Sequence, residues 1–207
     1  MKRDRDASLS ALEPKETIVT GKIIVIEYVS LDGVIQDPVG MEGSGLGDWT
    51  GPFKRGPKGD KFQHDTLFNA EAVMLGRVTY DGFAAVWPQV NDPEGFGKRM
   101  NSLPKYVASK TLKKADWSNS TLISGGLVEA TGKIKNSTSG HIVIYGSASL
   151  VGQLMPQGLI DEYALMVFPI ILGRGIKLFP SDISRKLALI ESQQFGDGIM
   201  LLRYGNA

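Results

Sequence analysis

Four short apolar runs, rich in β-branched residues and each breaking off into a small-residue turn, constrain this chain more than any other feature. They are KIIVIEYV at 22–29, EAVML at 71–75, KYVAS at 105–109 and HIVIY at 141–145. Each has the length of a buried strand and is too short for a helix by choice. TLIS at 121–124 reads as a further buried strand. Between the runs lie helical signatures. Residues 60–69 carry Phe62, Leu67 and Phe68, and 78–86 set Tyr80, Phe83 and Val86 on one face. Residues 146–155 open with Ser147 or Ser149 as a cap, ahead of Leu150, Val151, Leu154 and Met155. Strands alternating with helices predict an α/β sandwich around a mostly parallel sheet.

The last third departs from that rhythm. DEYALMVFP at 161–169 is a long strand, and 187–195 with 199–204 read as an antiparallel pair around Gly196-Asp197-Gly198. The expected sheet is therefore mixed, parallel in the main with antiparallel strands from the C-terminal part. Residues 36–59 are rich in Gly and Pro, and a segment of that length is expected to be a binding loop or lid. Residues 1–21 are charged and broken by Pro14, and read as a tail or arm ahead of one domain at 22–207. At 42% hydrophobic and 22% charged, 207 residues suffice to bury a core as one domain.

Composition removes several function classes. Without Cys there is no thiolate zinc site, iron–sulfur cluster, disulfide framework or cysteine nucleophile. His64, expected on a solvated helix face, and His141, at a strand start, are too few for a His-rich metal centre, and no metal is expected. A formal net charge of +1 argues against polyelectrolyte binding of nucleic acid. No apolar run approaches the ~20 residues of a membrane span, and the first 20 residues lack the apolar stretch of a signal peptide. A cytoplasmic protein acting on a small molecule is expected.

Ligands of such sheets bind beyond the carboxyl ends of the strands. There, Asp32 in Ser-Leu-Asp-Gly either orients a polar substrate and relays a proton or closes an Asx turn. Gly76-Arg77-Val78-Thr79 offers close backbone approach, a guanidinium fork and a helix start to a phosphate, or is simply a tight turn. Ser109, Lys110 and Thr111 suit a phosphomonoester or form a solvated loop. Gly146, Ser147, Ala148 and Ser149, leading into Leu150, let backbone amides close on a pyrophosphate or merely cap a helix. Gly173-Arg174-Gly175 can crowd a flat ring or a phosphate, or permit a sharp reversal. Together these turns favour a dinucleotide. No GxGxxG, P-loop, GxSxG or HExxH pattern occurs.

These residues, in this order, resemble the dihydrofolate reductase-like superfamily, in particular the C-terminal reductase domain of bifunctional riboflavin-biosynthesis proteins and its stand-alone relatives. The likeness spans 22–204. It rests on Ser-Leu-Asp-Gly, Leu-Gly-Arg-x-Thr-Tyr at 75–80, Ser-Lys-Thr-Leu at 109–112, Tyr-Gly-Ser-Ala-Ser-Leu at 145–150, Leu-Ile-Asp-Glu at 159–162 and Pro-Ile-Ile-Leu-Gly-Arg-Gly at 169–175. The resemblance implies a three-layer α/β/α fold that binds NADPH and pairs into homodimers. It places Gly76, Arg77 and Thr79 on the cofactor phosphates, Ser109 and Lys110 near the 2′-phosphate, and Gly146 to Leu150 around the pyrophosphate. Asp32 and the Gly173-Arg174-Gly175 loop would border nicotinamide and substrate. Folate reductases place an acid on the first helix, for which Asp60 and Asp65 are the candidates here. Without the Cys ligands of a zinc deaminase, this sequence is expected to supply only the reductase half of the bifunctional proteins. The implied activity is hydride transfer to a pyrimidine- or pterin-like substrate, the most family-typical being reduction of 5-amino-6-(5-phosphoribosylamino)uracil. Dihydrofolate reduction and a catalytically silent nucleotide-binding module are the alternatives.

Overall fold

The computed structural model describes residues 20–207. The expected tail at 1–21 lies outside the described residues as far as position 19. Gly21 is already tied down, its amide donating to the carbonyl of Lys135 at 2.8 Å. In chain order the elements are β1 (Lys22–Ser30), α1 (Gly56–Phe68), β2 (Ala70–Gly76), α2 (Arg77–Val86), α3 (Phe96–Ser102), β3 (Lys105–Ala108) and β4 (Ser120–Leu122). They continue as α4 (Leu127–Ser137), β5 (His141–Tyr145), α5 (Ala148–Leu154), β6 (Glu162–Phe168), β7 (Leu187–Gln194) and β8 (Met200–Asn206).

One eight-stranded sheet carries the order β4-β3-β2-β5-β1-β6-β8-β7. The first six strands run parallel; β8 pairs antiparallel with both β6 and β7. Both faces are covered, which is why the central strands read as unbroken apolar runs rather than alternating ones. Along β1, Ile24 and Ile26 enter one core, with Leu67 of α1, Tyr80 of α2 and Met100 of α3. Ile23 and Val25 enter the other, with Leu150, Val151 and Leu154 of α5 and half-buried Leu127 and Ile134 of α4. Each such side chain contributes about 1.5–3 kcal/mol on burial. The fold is thus the three-layer, mixed-sheet architecture expected.

Several local expectations are corrected. The polar stretch before β3 contains α3, which begins where Asp92 accepts from the amides of Phe96 and Gly97 at 2.9 and 2.8 Å. α4 was not anticipated at all. β4 is a three-residue, partly exposed edge strand rather than a buried one. The Gly/Pro-rich segment ends in α1 from Gly56, so only its first twenty residues are loop. That loop is organised by buried Asp37, whose carboxylate accepts from the amides of Glu42 and Ser44 at 2.8 and 3.0 Å and from the Ser44 hydroxyl at 2.7 Å. Burial works against ionisation of Asp37, but these hydrogen bonds outweigh it and hold the carboxyl below its usual range. Trp49 locks the loop further by donating to the carbonyl of Gln36 at 2.9 Å.

Candidate active site

At the carboxyl edge of the parallel strands, the turns after β2 and β5 cross so closely that neither accepts a side chain. A Cβ on Gly76 would lie 2.2 Å from the Ser147 hydroxyl oxygen, and one on Gly146, at φ +65°, would lie 2.5 Å from that of Thr79. Ser147 caps α5, its hydroxyl accepting from the amide of Leu150 at 3.3 Å. α2 and α4 instead start at Gly76 and Gly126, which supply no capping side chain, so the first amides of both helices are left for another acceptor.

These turns open onto a cavity of about 1080 Å³. Nine of the residues expected to hold a cofactor line it: Arg77, Thr79, Ser109, Lys110, and Gly146 through Leu150. Gly76 stands just behind them. Arg77 is held by Asp81 at 3.2 Å and donates to the Thr111 hydroxyl at 2.6 Å. Towards β1 the cavity becomes apolar and aromatic, walled by Phe83, Trp87, Phe96 and Met100. A few polar groups remain there. The Tyr28 hydroxyl accepts from Arg55 at 2.8 Å and from the Gln63 amide at 3.2 Å. Burial pushes the hydroxyls of Tyr28 and Tyr145 up, so both stay neutral.

The residues expected on the substrate side are placed elsewhere. Asp32 is not in the cavity wall: its carboxylate accepts from Ser30 at 2.6 Å and from the amides of Leu172 and Gly173 at 3.1 and 2.8 Å. Those bonds, the one from Ser30 foremost, lower its pKa to about 2. The Ser30 hydroxyl that bonds Asp32 accepts in turn from the Val34 amide at 2.9 Å, and the Asp32 carboxylate clamps the distant 172–173 loop onto this turn. Gly173, Arg174 and Gly175 lie outside the cavity too. Arg174 donates to the carbonyl of Gly45 at 3.2 Å, and Gly175, at φ +119°, packs against Val34 and Leu46. Only the next residue, Ile176, reaches the wall. On α1, Asp60 pairs with Arg55 at 3.3 Å, while Asp65 pairs with Lys61 and with His64 at 3.4 Å. The α1 polar side chain that faces the cavity is neutral Gln63.

Sequence reasoning missed Glu27, Tyr28, Gln63 and the Gly125-Gly126 pair, all of which line the cavity. Two carried a signal: Glu27 is the one charge inside the run IIVIEYV, and Gly125-Gly126 follows a strand and opens a helix.

The position of Asp32 makes a direct prediction. Asp32→Asn is expected to speed amide exchange at Leu172 and Gly173. Because the folded pKa is depressed, the clamp is complete above the ordinary Asp value of about 4 and is released as pH falls through about 2. Wild-type exchange should show that acid step and the Asn variant should lack it. Unaltered exchange in the variant would remove the clamp role.

A family model described as the RibD C-terminal domain matches residues 21–201, nearly the whole described chain. The chain belongs to the RibD C-terminal domain family. Among curated relatives, the uncharacterized protein YwjB of Bacillus subtilis (strain 168) is 29% identical over 181 residues, covering 87% of this chain and 95% of that protein. Among solved structures, a putative riboflavin biosynthesis protein from Shewanella sp. PV-4 superposes with a TM-score of 0.72 at 23% identity, over 90% of this chain and 99% of that one. Dihydrofolate reductase from Enterococcus faecalis, solved with NADP(H), gives 0.57 at 18% identity over 89% and 95%. These likenesses establish a dihydrofolate reductase-like fold for this RibD C-terminal domain. Among the described residues, no helix is long and apolar enough to cross a membrane.

Proposed function

We propose that this RibD C-terminal domain is an NADPH-dependent oxidoreductase that transfers a hydride to a pyrimidine- or pterin-like substrate. One observation carries the reading: a single cavity is lined both by cationic, glycine-containing strand ends and by a cluster of aromatic and apolar side chains. The residues present fit a phosphorylated dinucleotide. Open helix starts at Gly76 and Gly126, with Arg77 and Lys110 beside them, supply the donors and positive charge that phosphates require. Arg77, Thr79 and 146–150 would hold the pyrophosphate, and Ser109 with Lys110 the 2′-phosphate.

A bound nicotinamide supplies the hydride. The protein's part is to orient and to exclude water. Phe83, Trp87, Phe96 and Met100 give a flat ring an apolar wall to pack on, while Tyr28 and Gln63 offer hydrogen bonds that fix a flat heterocycle. Folate reductases carry an acid on the first helix; here Gln63 occupies the cavity-facing place on α1. That neutrality favours a pyrimidine, with 5-amino-6-(5-phosphoribosylamino)uracil as the family-typical substrate, over dihydrofolate. Homodimeric assembly and a cytoplasmic location belong to the same proposal.

Calorimetry tests it first. NADPH is expected to bind in the micromolar range and NADH much more weakly, followed by NADPH oxidation when pyrimidine and pterin substrates are screened. Binding without turnover of any of them would convert the reading to a silent nucleotide-binding module. Absence of binding by either nucleotide would remove the reductase assignment.

A further inference from the structure

The cavity wall holds a buried carboxyl, Glu27, that this mechanism leaves idle. Along β1 the odd-numbered residues Ile23, Val25 and Val29 enter the core shared with α4 and α5, and Glu27 occupies the same register. It is only 5% exposed, it lines the cavity, and its Oε1 has no hydrogen-bond partner. Native interiors seldom leave a carboxyl oxygen in that condition, and an exception is a sign of a missing partner.

The surroundings decide its charge. On this face β5 and β6 place the apolar Ile144 and Leu165, while the cavity lining contributes Glu42 and the ionised Asp37 from the loop before α1, Ser147 from the turn into α5, and Ser149 and Gln153 from α5. Tyr28 lies on the opposite face of β1. The cations Arg77 and Lys110 follow β2 and β3, two and three strands away across the sheet. Among the described residues, no ion pair reaches Glu27. Burial first, and the like charge of Glu42 second, push its carboxyl well above the usual range. A protonated carboxyl presents an O–H donor and a C=O acceptor side by side. The complementary edge is that of a carboxamide or lactam, which carries N–H and C=O in the same arrangement.

We propose that Glu27 is a specificity-determining residue that pairs, as a neutral carboxylic acid, with the amide edge of a ligand bound in the cavity. The proposal rests on the cavity being the reductase site. The edge has two possible sources, the carboxamide of the nicotinamide ring or the lactam of a pyrimidine or pterin substrate. Either way a neutral amide side chain substitutes for the acid, and an apolar one does not.

Infrared difference spectra of the unliganded protein at neutral pH should show the carbonyl stretch of a protonated carboxyl that is missing in Glu27→Gln. Calorimetry with NADPH, 2′,5′-ADP, uridine and folate then identifies the edge. In Glu27→Leu, loss of about tenfold or more in NADPH affinity is expected for an unmade buried hydrogen-bond pair. Glu27→Gln should stay close to wild type, and unchanged 2′,5′-ADP binding shows that both variants remain folded. Loss for NADPH alone assigns the carboxamide; loss for uridine or folate alone assigns the lactam. If wild type and Glu27→Leu bind every probe equally, or the infrared band is absent, the proposal is overturned. A wild type that binds neither NADPH nor 2′,5′-ADP overturns the reductase reading and this proposal with it.

Discussion

Lys110→Ala is expected to weaken NADPH by about tenfold or more while leaving NADH untouched, and Arg77→Ala is expected to weaken both by a similar factor. The asymmetry follows from position. Lys110 comes two residues after β3, beside Ser109, where the proposed binding mode puts the 2′-phosphate that NADH lacks. Arg77 opens α2 at the crossing of the two glycine turns, where the same proposed mode puts the pyrophosphate common to both nucleotides. Hydrogen bonds to charged groups are worth about 1.5–3 kcal/mol, which corresponds to roughly 10- to 150-fold in affinity. Arg77 is already oriented by Asp81 and Thr111, so little side-chain entropy remains to be lost on binding. Both effects should shrink as salt is raised, since these side chains border solvent. Titrating the two variants with both nucleotides at two ionic strengths is sufficient. Wild-type affinity in both variants would sink the assignment of the cationic end.

The largest stability effect is expected at Lys105, which does not line the cavity. Its side chain is fully buried, and its ammonium donates to the carbonyls of Met100, Asn101 and Leu103 at 2.8, 3.2 and 2.7 Å, 4.4 Å above the Trp117 ring. It thereby closes the C-terminal end of α3, whose last carbonyls have no helical partner. Lys105→Met keeps the volume and removes the donor. The carbonyl of Asn101 retains Asn119 at 3.0 Å, but those of Met100 and Leu103 lose their side-chain donor. A cost of about 3 kcal/mol in urea unfolding is expected. Burial also lowers the ammonium pKa to about 8, below the unfolded value of about 10.4. Between those values the unfolded chain binds more protons, so wild-type stability should rise with pH across that window. The Met variant should lose this slope. A variant within about 1 kcal/mol of wild type, with the slope intact, would contradict the role.

Much of the architecture is legible in the chain because its cause is local. β1, β2 and β5 are buried on both faces, so each announces itself as an unbroken apolar run between turn residues. The closing hairpin is equally plain, since Asp197 and Gly198 both adopt positive φ and occupy a Gly-Asp-Gly turn. α3 and α4 escaped for the opposite reason. Each presents a narrow apolar stripe amid Lys, Asn, Ser and Gly, so tertiary packing rather than periodicity holds them. β4 looks apolar in sequence yet sits at the sheet edge with three residues.

The site divides along the same line. The proposed dinucleotide end is written in contiguous motifs, because a strand end and the helix after it are adjacent in sequence. Those motifs single out Arg77, Thr79, Ser109, Lys110 and 146–150, and the fold brings them around one opening. The proposed substrate end is assembled from β1, α1, α2, α3 and a loop of twenty residues, and no local pattern specifies which side chain of each turns inward. Asp32 is the clearest case: its partners Leu172 and Gly173 lie 140 and 141 positions away, and only the folded chain shows its carboxylate spent on them. Gln63 rather than Asp60 or Asp65 faces the cavity because the packing of α1 on the sheet sets its rotation. Glu27 is visible in sequence as a charge within an apolar run, but its lack of a partner follows from what the neighbouring strands, α5 and the Asp37 loop place around it. Backbone pattern and turn chemistry are short-range properties that sequence determines by itself; the identity of the groups that meet across the cavity depends on long-range packing, which only the tertiary structure decides.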